Sequence, residues 1–330
     1  MTPSSPRTLV CACAAVFLSF SAVAADFSTK GIYGPDDRRE PGEVQSEKIK
    51  GWADSTVALF QTDGVKTDDK TKQAALTSHP FNKAGVKTPD NPFGEWVELC
   101  ADEKYKGQGQ GAFCSGSLVA EDMVMTAGHC VEDEEQCKAG IKFVFGFRAD
   151  KDGKAPEGVS SDEVYGCAGV VARKLEMKGP DFTIVKLDRP VTNHKPLRVR
   201  RNGNPPVGTP LTVIGHPVGL PTKVAGGASI RKDDAGGFLV GNLDTYGGNS
   251  GSAVINTVTG EIEGILVRGD ADFVYDEKRK CAKSNHAMDD TGRGEDVTLV
   301  SNVIQFIPNA HQLPPLALAD AASNLTGRGL

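Results

Sequence analysis

An all-β fold is what this chain predicts, and three properties carry that reading. Glycine is abundant, at 38 of 330 residues, while aromatic residues make up only 6%. The apolar runs are short, rich in β-branched residues and separated by Gly, Pro, Asn and Asp, the pattern of strands joined by turns. Only the stretch from Asn302 onward invites a helical reading, and Pro308 limits it to about two turns.

Residues 1–24 have the layout of a secretory signal: Arg7, an apolar run from Leu9 to Phe20, then small residues at Ala22 and Ala24 before a cleavage point. That run is about 12 residues long, against the roughly 20 that span a bilayer, so cleavage is expected and no membrane association after it. Residues 25–50 form an N-terminal segment. A first β-rich unit covers 51–191, with candidate strands at Thr56–Phe60, Ser117–Val119, Val124–Thr126, Ile141–Phe147, Val164–Ala172 and Thr183–Leu187. The polar stretch 62–110 within it is poor in strand signals and is expected to be a surface insertion. Residues 192–210, with Pro196, Pro205, Pro206 and Pro210, form a linker. A second unit covers 211–305, with strands at Leu211–Ile214, Phe238–Val240, Ala253–Ile255, Ile262–Val267 and Val297–Val300, and a second insertion at 270–296. The tail 306–330 is rich in Ala, Leu and Gly and is expected to be poorly ordered.

Composition narrows the function. A net charge of -6 with no long basic run argues against a nucleic-acid partner. Of eight cysteines, Cys11 and Cys13 leave with the signal, and the remaining Cys100, Cys114, Cys130, Cys137, Cys167 and Cys281 form an even set that reads as three disulfides in a secreted or periplasmic protein. No CxxC pair or suitably spaced histidine suggests a metal, and no cofactor motif is present. The predicted hairpin Ile141–Phe147 and Val164–Ala172 favours pairing Cys137 with Cys167. The acidic run Glu132–Glu135 reads as a solvated loop rather than a calcium site.

Three segments carry chemistry: Thr126–Cys130 (TAGHC), Asp181–Asp188 (DFTIVKLD) and Gly247–Val254 (GGNSGSAV). A serine hydroxyl is a weak nucleophile at neutral pH, so it needs a base within hydrogen-bond reach and a third group to fix that base's tautomer. Ser250, His129 and Asp181 are candidates for these roles. Asp181 opens an alternating strand, where its carboxylate can reach His129 Nδ1; Asp188 closes the same strand beside Arg189 and is expected at the surface. The glycine-rich turn lets the backbone N–H groups of Gly248 and Ser250 point at one place, an arrangement that stabilises a developing oxyanion. The order His, Asp, Ser excludes the α/β-hydrolase order, which also requires GxSxG where position 252 is serine, and the subtilisin order.

With these motifs in this order, the chain resembles the chymotrypsin-like serine proteases, in particular the bacterial branch that includes the glutamyl endopeptidases. The resemblance runs from Ile32 to Val303 through FCSGSLVA, TAGHC, DFTIVKLDRPV, IGHP, LDTYGGNSGSAV and EGILVRG, with DDR at Asp36–Arg38 near its start. It implies two six-stranded antiparallel β-barrels with a catalytic cleft between them, a Cys114–Cys130 disulfide steadying the histidine, and a monomer acting on protein or peptide substrates. Asn249 stands where animal trypsin-like enzymes carry an aspartate, so no ion pair to a new amino terminus is expected there. For selectivity, the resemblance puts Asp244 at the base of the primary pocket, which favours cleavage after Lys or Arg. Arg268 and Gly269 are also expected to contact substrate. Cleavage after acidic residues is the alternative, although Leu266 occupies the position where glutamyl endopeptidases have a histidine. A catalytically inactive binding module on the same fold, or an esterase, are further alternatives.

Overall fold

The computed structural model describes residues 31–234 and 236–309. The signal at 1–24, with Cys11 and Cys13, and residues 310–330 of the tail lie outside the described residues.

The first unit is one curled sheet of seven strands: β1 (Thr56–Gln61), β2 (Cys114–Ala120), β3 (Met123–Thr126), β4 (Ile141–Val144), β5 (Val164–Tyr165), β6 (Cys167–Leu175) and β7 (Asp181–Leu187), in the order β5-β4-β1-β2-β3-β7-β6. The sequence suggests a single strand through 164–172, but the chain breaks at Gly166, whose N–H donates to Asp188 Oδ2 at 2.9 Å. One half then pairs with β4 and the other with β7. The two edges of the sheet are therefore halves of one chain segment. This is how a six-stranded expectation becomes seven strands.

The second unit is a closed barrel. Strands β9 (Pro210–Gly215), β10 (Lys223–Asp234), β11 (Phe238–Gly241), β12 (Ala253–Asn256), β13 (Glu261–Arg268) and β14 (Glu295–Leu299) form it, and pairing of β13 with β14 completes the ring. The short β8 (Arg198–Val199), inside the expected linker, runs parallel to β13. Leu118, Phe143 and Ile184 of the first unit share one buried cluster with Ile214, Ile255 and Ile265 of the second. Continuous apolar packing of this kind holds the two units at a fixed angle and so fixes anything built across their junction.

Both insertions contain strands that the sequence did not advertise. Within 62–110, Val65–Asp68 and Gln73–Leu76 form a hairpin extended by Gly158–Ser160, and Lys83–Val86 pairs with Glu95–Glu98. Within 270–296, Phe273–Asp276 pairs with Cys281–Ser284. The insertions meet through the Cys100–Cys281 disulfide and a buried cluster that includes Phe81, Leu99, Tyr246, Phe273 and Ala282. The other disulfides are Cys114–Cys130 and Cys137–Cys167, the latter as the hairpin suggests.

Two short helices, α1 (Glu47–Asp54) and α2 (Glu134–Gly140), are also present. Ser46 Oγ caps the first by accepting from Ile49 N, and Asp133 caps the second by accepting from Gln136 N at 2.7 Å. The acidic run at 132–135 is thus a helix start, with Glu134 paired to Lys138 one turn on.

Candidate active site

The sequence places a glycine before His129 for a steric reason: a Cβ at Gly128 would lie 2.2 Å from the Lys174 carbonyl oxygen and 2.9 Å from Asp181 Oδ1. With that space free, Asp181 is gripped from one side by backbone. Its Oδ1 accepts from Gly128 N at 2.5 Å and from His129 N at 3.2 Å, while Oδ2 faces His129 Nδ1 at 2.8 Å. Asp181 is fully buried, and its own N–H and carbonyl both bond to the Thr298 hydroxyl at 3.1 Å, tying the first unit to the second. A buried carboxylate with amide donors on one oxygen and an imidazole on the other fixes the ring's orientation and its tautomer.

Ser250 sits on the opposite side of the junction, 1% exposed. Its carbonyl accepts from Ser115 N at 2.8 Å and lies 3.6 Å from Cys130 Sγ. The next residue, Gly251, is packed so closely on the histidine-bearing turn that a Cβ would fall 2.0 Å from the Ser115 carbonyl oxygen and 3.0 Å from Ala127 N. The Cys114–Cys130 bridge, β2 and the His129 turn therefore form the surface against which the serine turn rests. His129, Cys114 and Cys130 present nitrogen and sulfur atoms within 4.8 Å of one another, but sulfurs joined in a disulfide supply no thiolate to hold zinc.

The serine turn is held along its length. Gly248 has φ of 85°, and a Cβ there would meet the His216 carbonyl oxygen at 2.5 Å. Val218 N donates to the Gly247 carbonyl at 2.5 Å, and because a trans peptide points its C=O and N–H in opposite directions, the Gly248 N–H is aimed away from Val218. Ser115 Oγ accepts from His216 N at 2.9 Å and donates to the Gly248 carbonyl at 2.8 Å. Asn249 is buried, with Oδ1 accepting from Ser252 Oγ at 3.3 Å, so its neutral side chain is satisfied inside the turn. Ser115, Val218 and Thr298 were missed by sequence reasoning, because each acts across a long sequence distance. The one local hint was a hydroxyl, Ser115, inside the otherwise buried FCSGSLVA strand.

Asp244 and Arg268, both expected to read the substrate, are buried and hydrogen-bonded within the protein. Asp244 is 4% exposed and both its oxygens are occupied: Oδ1 accepts from Tyr33 N and Oδ2 from Asp37 N, each at 2.7 Å. Burial pushes its carboxyl up to about 7 against the pull of those two amides. Its role in this arrangement is to anchor the segment that precedes α1. Arg268 is engaged within the protein: its NH1 and NH2 donate to the carbonyls of Glu176 and Gly179 at 2.9 and 2.8 Å and its Nε faces Asp296 Oδ2 at 3.4 Å. The group that backs Gly269 is Glu295, which sequence reasoning did not single out. A Cβ at Gly269 would lie 2.0 Å from Glu295 Oε2, and the same carboxylate accepts from Thr245 Oγ1 at 3.0 Å and Gly31 N at 3.2 Å.

A two-unit β fold with an oriented imidazole on one unit and a serine in a glycine turn on the other defines the trypsin-like class of serine peptidases, and residues 114–265 match the family model of the trypsin-like peptidase domain. Over residues 114–265 the chain has a trypsin-like peptidase domain, and it is a serine-type endopeptidase similar to the chymotrypsin/trypsin-like serine proteases. Among curated relatives it is similar to the thrombin-like enzyme acutin of Deinagkistrodon acutus, 28% identical over 184 residues, covering 48% of this chain and 74% of that one. The thrombin-like enzyme saxthrombin of Gloydius intermedius is 29% identical over 185 residues, covering 48% and 68%. Among solved structures, a Glu endopeptidase in complex with MPD aligns over 84% of this chain and 97% of its own at 15% identity, with a TM-score of 0.44. A serine endoprotease from Yersinia pestis aligns over 80% and 66%, also at 15% identity, with a TM-score of 0.42.

Proposed function

We propose that the chain is an exported endopeptidase that cleaves proteins after Lys or Arg through an acyl-enzyme, acting as a monomer. Ser250 is the nucleophile, His129 the general base that takes its proton and later returns it to the leaving amine, and Asp181 the group that orients the imidazole. The Gly248 and Ser250 N–H groups stabilise the tetrahedral oxyanion. The observation that carries this reading is the 2.8 Å contact between His129 Nδ1 and a fully buried Asp181. Three disulfides and the signal-like start support export.

Selectivity for basic side chains is supported by two buried carboxylates, Glu295 against Gly269 and Asp244, each of which already holds backbone or hydroxyl donors. The commitment of the Arg268 guanidinium to loop carbonyls and Asp296 weighs against cleavage after acidic residues. The test is a digest of denatured casein by the wild type and by Ser250→Ala, with the cut sites read by mass spectrometry. Cleavage after Lys and Arg that vanishes in the variant is expected. Cuts after Glu or Asp refute the selectivity, and hydrolysis of activated esters without any casein fragments refutes the peptidase reading.

A further inference from the structure

Arg268 closes β13 and is 8% exposed, so its charge must be satisfied inside the protein. Two of its donors hold the carbonyls of Glu176 and Gly179, the turn that the chain makes just before Asp181. The turn is itself closed by Glu176 N donating to the Pro180 carbonyl at 3.1 Å. The guanidinium also lies 3.9 Å from Asp181 Oδ2, the oxygen that faces His129 Nδ1. Guanidinium and imidazole thus both lie within 4 Å of the same carboxylate oxygen.

We propose that Arg268 is a positioning residue for the reaction: it fixes the 176–179 turn that delivers Asp181, and its charge beside Asp181 Oδ2 opposes the build-up of a second positive charge on the imidazole that faces the same oxygen. The proposal rests on the roles given above to His129, Asp181 and Ser250. Other charged groups lie near the pair. Asp296 on β14 faces both Arg268 and Arg293, the latter at 2.7 Å. Arg173 on β6 donates to the carbonyls of Gly128 and Val131 behind the histidine, and Glu176 pairs with Lys174 at 2.9 Å. Asp181 is the carboxylate that faces the imidazole Nδ1, and Arg268 is a cation within 4 Å of it. An imidazolium would therefore share its counter-ion with a fixed cation, which like-charge repulsion opposes.

The experiment is the pH dependence of kcat/KM on fluorescein-labelled casein for the full-length wild type, Arg268→Gln, Arg268→Lys and, as a control, Ser250→Ala. In Arg268→Gln the midpoint of the acidic limb rises by about 0.5 to 1 pH unit, a shift set by removing one unit charge at short range in a partly screened site. Arg268→Lys keeps the midpoint within about 0.2 unit of the wild type even where kcat falls, since the charge remains while the paired carbonyl bonds are lost. Equal losses in both variants at every pH, with the limb unmoved, reduce Arg268 to a structural clamp and overturn the proposal, as does a wild-type profile for Arg268→Gln. If Arg268→Gln does not fold, Asp296→Asn decides: relieving Arg268 of its counter-ion lowers the midpoint, and an unmoved limb overturns the proposal. Activity in Ser250→Ala would instead remove the reading on which it rests.

Discussion

At the scale of single residues, the site works by occupying donors and acceptors so that few remain adjustable. Asp181 illustrates this, with amides on one oxygen, imidazole on the other and the Thr298 hydroxyl on its backbone. Gly248 illustrates the complementary requirement, which is empty space. Its φ of 85°, and the 2.5 Å that would separate an added Cβ from the His216 carbonyl oxygen, leave no room for a side chain. Gly248→Ala must either adopt a strained left-handed backbone or turn its peptide, and turning it removes the Gly248 N–H from the oxyanion. The expected outcome is a fall in kcat of roughly 10² to 10³ with a small change in KM. Steady-state kinetics on labelled casein check this, and a kcat within a factor of about three of the wild type would show that this N–H is not an oxyanion donor.

At the scale of elements, the expected linker 192–210 does more than span two units. His194 is 9% exposed, and its ring stacks on Phe145 with centroids 4.5 Å apart. Its Nδ1 faces Asp54 at the end of α1 at 2.8 Å and its Nε2 faces Glu163 at 2.6 Å. Arg148 also holds Asp54, and Asn193 donates to Glu163. Burial pushes the imidazole down, but the hydrogen bonds to Glu163 and Asp54 and their charges outweigh it, so its pKa lies above the ordinary 6.5. A raised folded-state pKa adds stability that is complete below the unfolded value and is lost as pH rises through the folded one. The wild type should therefore lose its thermal advantage over His194→Gln as pH rises above the ordinary imidazole value of about 6.5. Parallel melting curves for the two proteins over that range would show that the cluster does not carry a protonated histidine.

At the scale of the whole molecule, the fold class and the three chemical segments were readable because each depends on local pattern. Alternating apolar runs mark β3, β7, β9 and β13, and glycines mark the turns. What was not readable depends on distance or brevity. The helices α1 and α2 run for 8 and 7 residues, too few for a helical period to stand out, although Ser46 and Asp133 capped them in plain view. The 12-residue β10 was hidden by Gly226 and Gly227 in its middle and by the polar Arg231–Asp234 at its end. Asp244 looked like a pocket carboxylate from its offset to Ser250, but only the fold shows the amides of Tyr33 and Asp37 on its oxygens. Glu295 gave no signal at all, since its contacts reach back across 264 residues to Gly31.

On the proposed assignment both units are needed for the chemistry, because His129 and Asp181 belong to the first unit and Ser250 to the second. The most direct test of that arrangement is the intact mass of the protein after treatment with a fluorophosphonate, followed by peptide mapping. A single adduct on Ser250 in the wild type, greatly slowed in His129→Ala and absent from Ser250→Ala, is the expected result. An adduct on another serine, or labelling that is indifferent to the loss of His129, would contradict the assignment.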